Sequence, residues 1–324
     1  MAQEASSLLH PLLLPVWIIG AILLLERFLP WPEKAHPLTL IRLMALRLSD
    51  RVNPDPKRPA GQQHISGALA ILVILLPLLI VPLPLLWLAE YPWFFDALLL
   101  LVAVQFSPVQ HGVKRVEQAL KNDKKNLARQ WLNTLVLRET TRLSPLGIGK
   151  AAVEALILRF AYQIVGVLFW YALLGGLGAL AVRIIMELHH CWNPRKPHFG
   201  HFGQPVAHLH QWLMWLPTRL AALLLALANR PLQGIRAWFG VKGRGHNASV
   251  ILASAGGSLG VELSGPAYYN GIKVRFPRVG GQREARFGDI QRARTLVNTA
   301  QLMLWMLLFV CHLLLVGWAL KNGV

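Results

Sequence analysis

Glu154 and Arg159 stand five residues apart in VEALILRFAYQIVGVLFW, residues 153–170, an otherwise almost wholly apolar stretch. A charge inside a spanning segment costs at least about 2.5 kcal/mol. Arg159 should therefore face a bundle interior, where an acidic partner or a bound anion satisfies it. Five residues is too far round a helix for a good i,i+4 pair with Glu154, so the partner has to come from another segment. The competing reading has Arg159 snorkelling to headgroups from the cytoplasmic end of its helix.

Three further groups have types suited to chemistry. HHCWNPRKPHFGHFGQPVAHLH, residues 189–210, holds six of the twelve histidines and Cys191. Imidazole and thiolate ligate Zn, Cu, Ni or Fe, which makes His189, His190 and Cys191 candidate ligands. The spacing matches neither a zinc ribbon nor H-E-x-x-H, and no carboxylate lies within the loop to orient a ligand. The Gly-rich ASAGGSLG, residues 253–260, contains Gly256 and Gly257, whose backbone N–H groups could cradle an anion. It lacks the Gly-Lys-Ser/Thr ending of a P-loop, and small residues also serve close helix packing. His36, before Pro37, puts a titratable group near the end of the first apolar run, where a helix-terminus role competes with a catalytic one. Nothing has the order of a Ser-His-Asp triad, a nucleophile elbow or a paired-carboxylate hydrolase.

The elements that must carry these residues are membrane helices. The chain has 324 residues, 54% of them hydrophobic and only 15% charged, too few charges for a soluble domain of this length. Apolar runs near 20 residues span the hydrocarbon layer. Residues 11–29, 66–88, 155–185 and 301–320 qualify clearly, and 93–106 and 211–228 are shorter. The prediction is an all-α polytopic protein of about four to six transmembrane helices, a single membrane-embedded domain over residues 1–324. With six crossings the loops at about 30–65, 109–154 and 229–300 share one side. They hold 26 of the 33 Lys and Arg residues, which makes them cytoplasmic by the positive-inside rule and puts 187–210 outside. The 155–185 run is long and carries Gly166, Gly175, Gly176 and Gly178. If it turns back, 187–210 becomes cytoplasmic instead.

Residues 112–140 read as an amphipathic helix or helix pair, 51–63 as an irregular Pro-rich loop, and 262–288 as an irregular or short-hairpin insert. The N-terminus has no Lys or Arg ahead of its apolar run, so a retained helix is expected rather than a cleaved signal. A formal net charge of +18 suits nucleic acid, anionic lipid or phosphate ligands. In a membrane protein loop orientation accounts for it first, and no nucleic-acid partner is expected. Cys191 and Cys311 are too far apart in sequence to indicate a disulfide framework.

Five segments in order resemble the adenosylcobinamide-phosphate synthase family of cobalamin biosynthesis, the CbiB type. HPLTLI at His36 is similar to the family's His-Pro element, and RET at Arg138, with Glu139, to its Arg-Asp-Thr. AAVEAL…VLFW from Ala151 resembles its Ala-Val-Glu and Pro-Leu-Phe-Trp elements. WLPTRL at Trp215 resembles its Trp-Ile-Pro-Ala-Arg-Leu helix, and NASVILASAGGSLGVELSGPAYYNG at Asn247 its Asn-Ala…Leu-Gly-Val segment. The AmpE-type membrane regulators are also similar around LFW…GG and W-[LV]-P-x-R-L, but the segment after Asn247 favours the synthase branch.

The resemblance implies a cytoplasmic (inner) membrane enzyme that uses ATP and Mg²⁺ to join adenosylcobyric acid, a corrinoid substrate, to aminopropanol phosphate as an amide. Other corrinoid-pathway enzymes are the implied partners. His36, Arg138, Glu139, Glu154 and Asn247 become catalytic candidates, and Arg159, Gly256 and Gly257 ligand-binding ones. The chain departs from the family where the latter has acids. Glu-Asn-x-x-Asp-Gly is met by Leu158, Arg159, Tyr162 and Gln163, Asp-Ser-Met by His189, His190 and Cys191, and Gly-Trp-Pro by Ser249, Val250 and Ile251. Two readings follow: a ligase with a rebuilt site, or a catalytically degenerate relative that binds a ligand or regulates.

Overall fold

Helix boundaries follow local chemistry. The computed structural model of the protein describes residues 2–28, 31–32, 35–241, 246–269 and 271–322. Helix α1 (Ala2–Phe28) runs the length of the first apolar segment. Helix α2 (Pro37–Val52) starts with Pro37 in the first turn, and the His36 ring accepts a hydrogen bond from the Leu38 N–H at 3.2 Å, so one orphan donor is satisfied. Prolines bound α3 (Ala60–Ile80), α4 (Leu83–Leu88) and α5 (Pro92–Ala103). The chain then bends at extended Val104 into α6 (Ser107–Lys121), and Asp123 at φ 54° separates α6 from α7 (Lys125–Asn133). The expected amphipathic stretch is thus a helix pair. It packs on α8 (Pro145–Arg159), which is opened by Ser144 accepting from Gly147 N.

Among the described residues, four helical stretches are long and apolar enough to cross a bilayer: Ala60–Leu88, Pro92–Lys121, Pro145–Cys191 and Asp289–Ala319. Exposed Leu69, Leu72, Val73, Leu76 and Ile80 on α3, and Leu302, Met306, Val310 and Leu314 on the last helix, form an apolar belt suited to acyl chains. The fold is therefore that of an all-α polytopic membrane protein.

The third stretch is folded on itself. After α8 comes a π-helical segment, Phe160–Gly166, and then α9 (Val167–Cys191), interrupted by Gly175 at φ 66°, ψ −161°, a region open essentially to glycine alone. An unbroken helix would set Gln163 and Arg183 about 30 Å apart at 1.5 Å per residue. Instead the Gln163 amide oxygen accepts from Arg183 Nη1 at 3.1 Å, and a Cβ on Gly166 would meet Met186 Cε at 3.3 Å. The two arms are antiparallel and in contact. Asp96 of α5 holds the turn, its carboxylate accepting from Gly176 N at 2.6 Å.

This hairpin corrects the six-crossing layout. Residues 187–210 return to the end of the bundle that carries Arg138 and Glu154, and Arg195 and Lys196 join the other basic loops. Residues 211–228 are not a crossing either. The chain breaks at Met214 between α10 (Gln204–Leu213) and α11 (Trp215–Leu227), and 13 residues reach only about 20 Å.

Helix α11 packs on α12 (Pro231–Phe239) and α13 (Asn247–Leu259). Beyond α13 the 262–288 insert forms two small sheets. Strand β1 (Val261–Ser264) pairs antiparallel with β4 (Arg278–Gly280) and parallel with β5 (Arg283–Glu284), and β2 (Ala267–Tyr269) pairs antiparallel with β3 (Ile272–Val274). The final helix, α14 (Asp289–Asn322), runs back along α1 and α8.

Candidate anion-binding site

Where the two arms of the hairpin meet the returning loops lies a cavity of about 460 Å³. The first arm contributes Arg159, Tyr162 and Gln163, and the second Arg183, Glu187 and His190. Arg138 and Glu154 form one wall, Asn247 with Gln211 another, and Arg195, Tyr269 and Phe276 surround the mouth.

Both wall carboxylates among the described residues are engaged. Glu154, buried at 6% exposure, takes Arg138 Nη2 on Oε2 at 2.5 Å and the Ser264 N–H on Oε1 at 2.7 Å. Glu187 takes Arg183 Nη2 on Oε1 at 2.9 Å and Arg42 Nε on Oε2 at 2.5 Å. Arg183 is 1% exposed. It also donates to Gln105 Oε1 at 3.1 Å, while its Nε is buried with no hydrogen-bond partner among the described residues. The amide oxygen of Gln163 faces Arg159 Nη1 at 2.8 Å as well as Arg183, and its nitrogen donates to the Gln105 carbonyl at 2.9 Å. One neutral oxygen thus holds two guanidinium groups together. The π-helical segment underlies this, because its wider turn redirects Tyr162 and Gln163 relative to Arg159.

The sequence candidates divide. Arg138, Glu154, Arg159, His189, His190 and Asn247 all line the cavity. Asn247 ties helices together there: its Oδ1 accepts from Arg219 Nη1, and its Nδ2 donates to the Gln211 carbonyl at 2.8 Å. Glu139 stands apart, holding the β2–β3 hairpin through Gly271 N and the Tyr268 carbonyl. Gly256 and Gly257 are mid-helix packing positions. A Cβ would lie 2.8 Å from the Val261 carbonyl oxygen at the first and 2.5 Å from Ala237 Cβ at the second, so they bring α13 against β1 and α12 rather than face a ligand.

His189, His190 and Cys191 do not converge. Successive helical residues point about 100° apart, and Cys191 turns into the apolar cluster of α2, α3 and α9. His189 instead stacks on His210, rings 4.5 Å apart and 17° from parallel. Burial holds the His210 imidazole well below its ordinary pKa, so that ring is neutral. Among the described residues no three His, Cys, Asp or Glu side chains form a group able to hold a metal ion.

His36 sits behind the wall, 3% exposed. Burial, followed by the fields of Arg183 and Arg42, lowers its pKa to about 4. Between pH 6.5 and 4 the unfolded chain would bind a proton that the folded chain refuses, so folding stability falls as pH drops through this window and is unaffected above it. His36→Asn, which keeps a capping acceptor and does not titrate, should make that part of a stability profile measured by thermal unfolding in detergent shallower, with buried His210 keeping its own share of the slope. An unchanged profile would remove His36 from the explanation.

The wall residues do not suit a resident Mg²⁺. That ion takes six oxygens in a near-ideal octahedron, with one or two carboxylates usual. Among the described residues Glu154 and Glu187 are the only lining carboxylates, and each already accepts two donors. Four arginines outnumber them. The same wall does suit phosphate oxygens, for which planar guanidinium donors have matching geometry.

Arg183, Glu187 and Arg195 were not singled out by sequence reasoning. The first two carried a readable signal, opposite charges at i,i+4 at the end of an apolar run.

Comparison with known proteins bears on this arrangement. The family described as CobD/Cbib protein matches residues 18–297. The cobalamin biosynthesis protein CobD of Chromobacterium violaceum is 29% identical over 299 residues, spanning 91% of this chain and 96% of that protein. That of Stutzerimonas stutzeri is 30% identical over 304 residues, covering 93% and 97%, and that of Mycobacterium tuberculosis (strain ATCC 25618 / H37Rv) is 28% identical over 278, covering 83% and 87%. No solved structure matches the chain significantly. The match takes in both arms of the hairpin and every wall of the cavity, and the relatives align along nearly their whole length: the chain is a multi-pass membrane protein that belongs to the CobD/CbiB family of cobalamin biosynthesis.

Proposed function

We propose that the protein works in the cytoplasmic membrane as an ATP-dependent amide ligase, joining adenosylcobyric acid to aminopropanol phosphate to give adenosylcobinamide phosphate. The observation that carries this reading is the cavity, in which four arginines gather around a space sized for phosphates and a carboxylate arm. Amide formation from a carboxylate needs activation. Attack of the carboxylate oxygen on the γ-phosphorus of ATP gives an acyl phosphate and ADP. The amine nitrogen then displaces phosphate at the acyl carbon and releases a proton. Each species carries anionic oxygens that guanidinium groups can position. A corrinoid ring is too bulky for about 460 Å³, so its carboxylate arm would enter while the ring rests at the mouth, against Tyr269 and Phe276. With 187–210 on the same side as the basic loops, cytosolic ATP would reach the site by the positive-inside rule.

The test is ligation by the detergent-purified protein given adenosylcobyric acid, aminopropanol phosphate, ATP and Mg²⁺, with ADP and amide both followed. Amide formed in step with ADP is expected. No amide, with corrinoid still bound, would replace this reading by the second one, a ligand-binding or regulatory relative. That alternative draws on one observation: both cavity carboxylates among the described residues are committed to arginines.

A further inference from the structure

We infer that strands β2 and β3, with the short segments that join them to β1 and β4, form a flap over the mouth of the cavity, hinged at the end of the β1–β4 ladder and latched across the opening by Arg195. The inference concerns access to the same cavity and rests on the proposed ligation only for what is admitted.

The flap's two ends leave the molecule side by side. Ser264 and Arg278 are register partners at the end of the ladder. Beyond them the chain departs through Gly265, at φ 114°, a conformation that favours glycine, and returns through Pro277, whose ring fixes φ. Val261 and Leu263 of β1 and Val279 of β4 belong to the apolar core, which holds the base firm. The flap itself has no such anchor. Strands β2 and β3 pair with each other and with no other strand, and among the described residues nothing between Gly265 and Arg278 joins an apolar cluster. A lone two-stranded hairpin is marginally stable, and a segment with few buried apolar contacts opens locally at small cost.

Two sets of contacts hold it closed. On one side the Tyr268 carbonyl accepts from Glu139 N at 2.9 Å, the Glu139 carboxylate accepts from Gly271 N, and the Arg142 guanidinium lies 5.7 Å from the Tyr268 ring. On the other, the exposed Arg195 guanidinium lies 5.6 Å from the Tyr269 ring and 5.3 Å from that of Phe276. Arg195 follows α9 whereas the rings belong to the flap, and all three line the cavity, so this contact bridges its mouth. Exposed cation–π contacts are individually weak, which suits a latch that must yield. Its release uncovers the ring faces that Arg195 occupies, at the place where the proposed ligation rests the corrinoid ring.

The experiment uses the detergent-purified full chain without ligand and reads two things: hydrogen exchange of the flap, and labelling of Ser249→Cys on the cavity wall by a bulky maleimide, both resolved by mass spectrometry so that the native cysteines stay in place. Wild-type flap amides should exchange faster than those of α8 and α13. Arg195→Ala should speed both flap exchange and labelling by about 10-fold, the scale of two exposed cation–π contacts, with α8 and α13 unchanged. Glu139→Ala is the stricter variant, because Glu139 does not line the cavity and its loss cannot widen the mouth by deletion. Labelling should rise there as well. Flap amides as protected as those of α13, or wild-type labelling in Glu139→Ala, would overturn the inference.

Neither readout contains ATP or a corrinoid. Failure of amide formation therefore leaves the flap standing, and a rigid hairpin leaves the ligase reading standing.

Discussion

Gly175→Val is expected to cost the protein about 3 kcal/mol, a large share of the roughly 5–15 kcal/mol by which an ordinary domain is stable. Gly175 sits at φ 66°, ψ −161°, where a side chain is strained and a β-branched one is a genuine outlier. A Cβ there would also lie 3.0 Å from Asp96 Oδ1, the carboxylate that caps the turn. Gly175→Ala should be intermediate, giving a graded series. Thermal unfolding in detergent reads it, together with the yield of monodisperse protein. If the valine variant melted with the wild type, the chain could not reverse at this residue, and the cavity built from the two arms would go with it.

The second large effect belongs to Glu187. Glu187→Gln takes from Arg183, 1% exposed, the carboxylate it pairs with at 2.9 Å, and breaking a buried pair from one side costs about 3–5 kcal/mol. The double variant Arg183→Met, Glu187→Met removes both charges and replaces them with apolar volume, so it should be less damaging than Glu187→Gln. That order, with the double variant the milder, is what a buried ion pair requires. A single-variant cost under about 1 kcal/mol would show that the pair is solvated.

Much of the architecture was legible because membranes restrict it. Long apolar runs read as helices without help from tertiary contacts, and proline and glycine punctuation placed the 262–288 insert and the loop within 51–63, which is confined to 53–59 because 51–52 end α2 and 60–63 already belong to α3. Arg159 was legible for the same reason: a charge in hydrocarbon must face something, and it faces this cavity. Gln163, four residues along, supplies it with an oxygen, at the i,i+4 spacing of neighbours on one helix face. The π-helical segment that begins at Phe160 has no compositional signature to announce it.

The reversal at Gly175 was visible only as an option, as four glycines in one run allow a bend without naming which residue takes it. Asp96 decides the matter, and it is 80 residues away. Gly256 and Gly257 illustrate the converse, where a local pattern shared by anion loops and close-packed helices is resolved only by what stands opposite: Val261 and Ala237.

The shortness of the second arm has a consequence for the surrounding lipid. Residues 176–191 extend about 24 Å at 1.5 Å per residue, less than the roughly 30 Å thickness of a bilayer's hydrocarbon core. The turn at Gly175 and its Asp96 cap therefore lie below the far headgroups unless the bilayer thins to meet them. Thinning is the ordinary response to a segment that is too short, at a fraction of a kcal/mol per ångström. The protein should be most stable in short-chain membranes, and in thicker ones lipid would press on the turn that holds Arg183 opposite Arg159. Acyl-chain length is then a control on the cavity's geometry that acts from outside the protein.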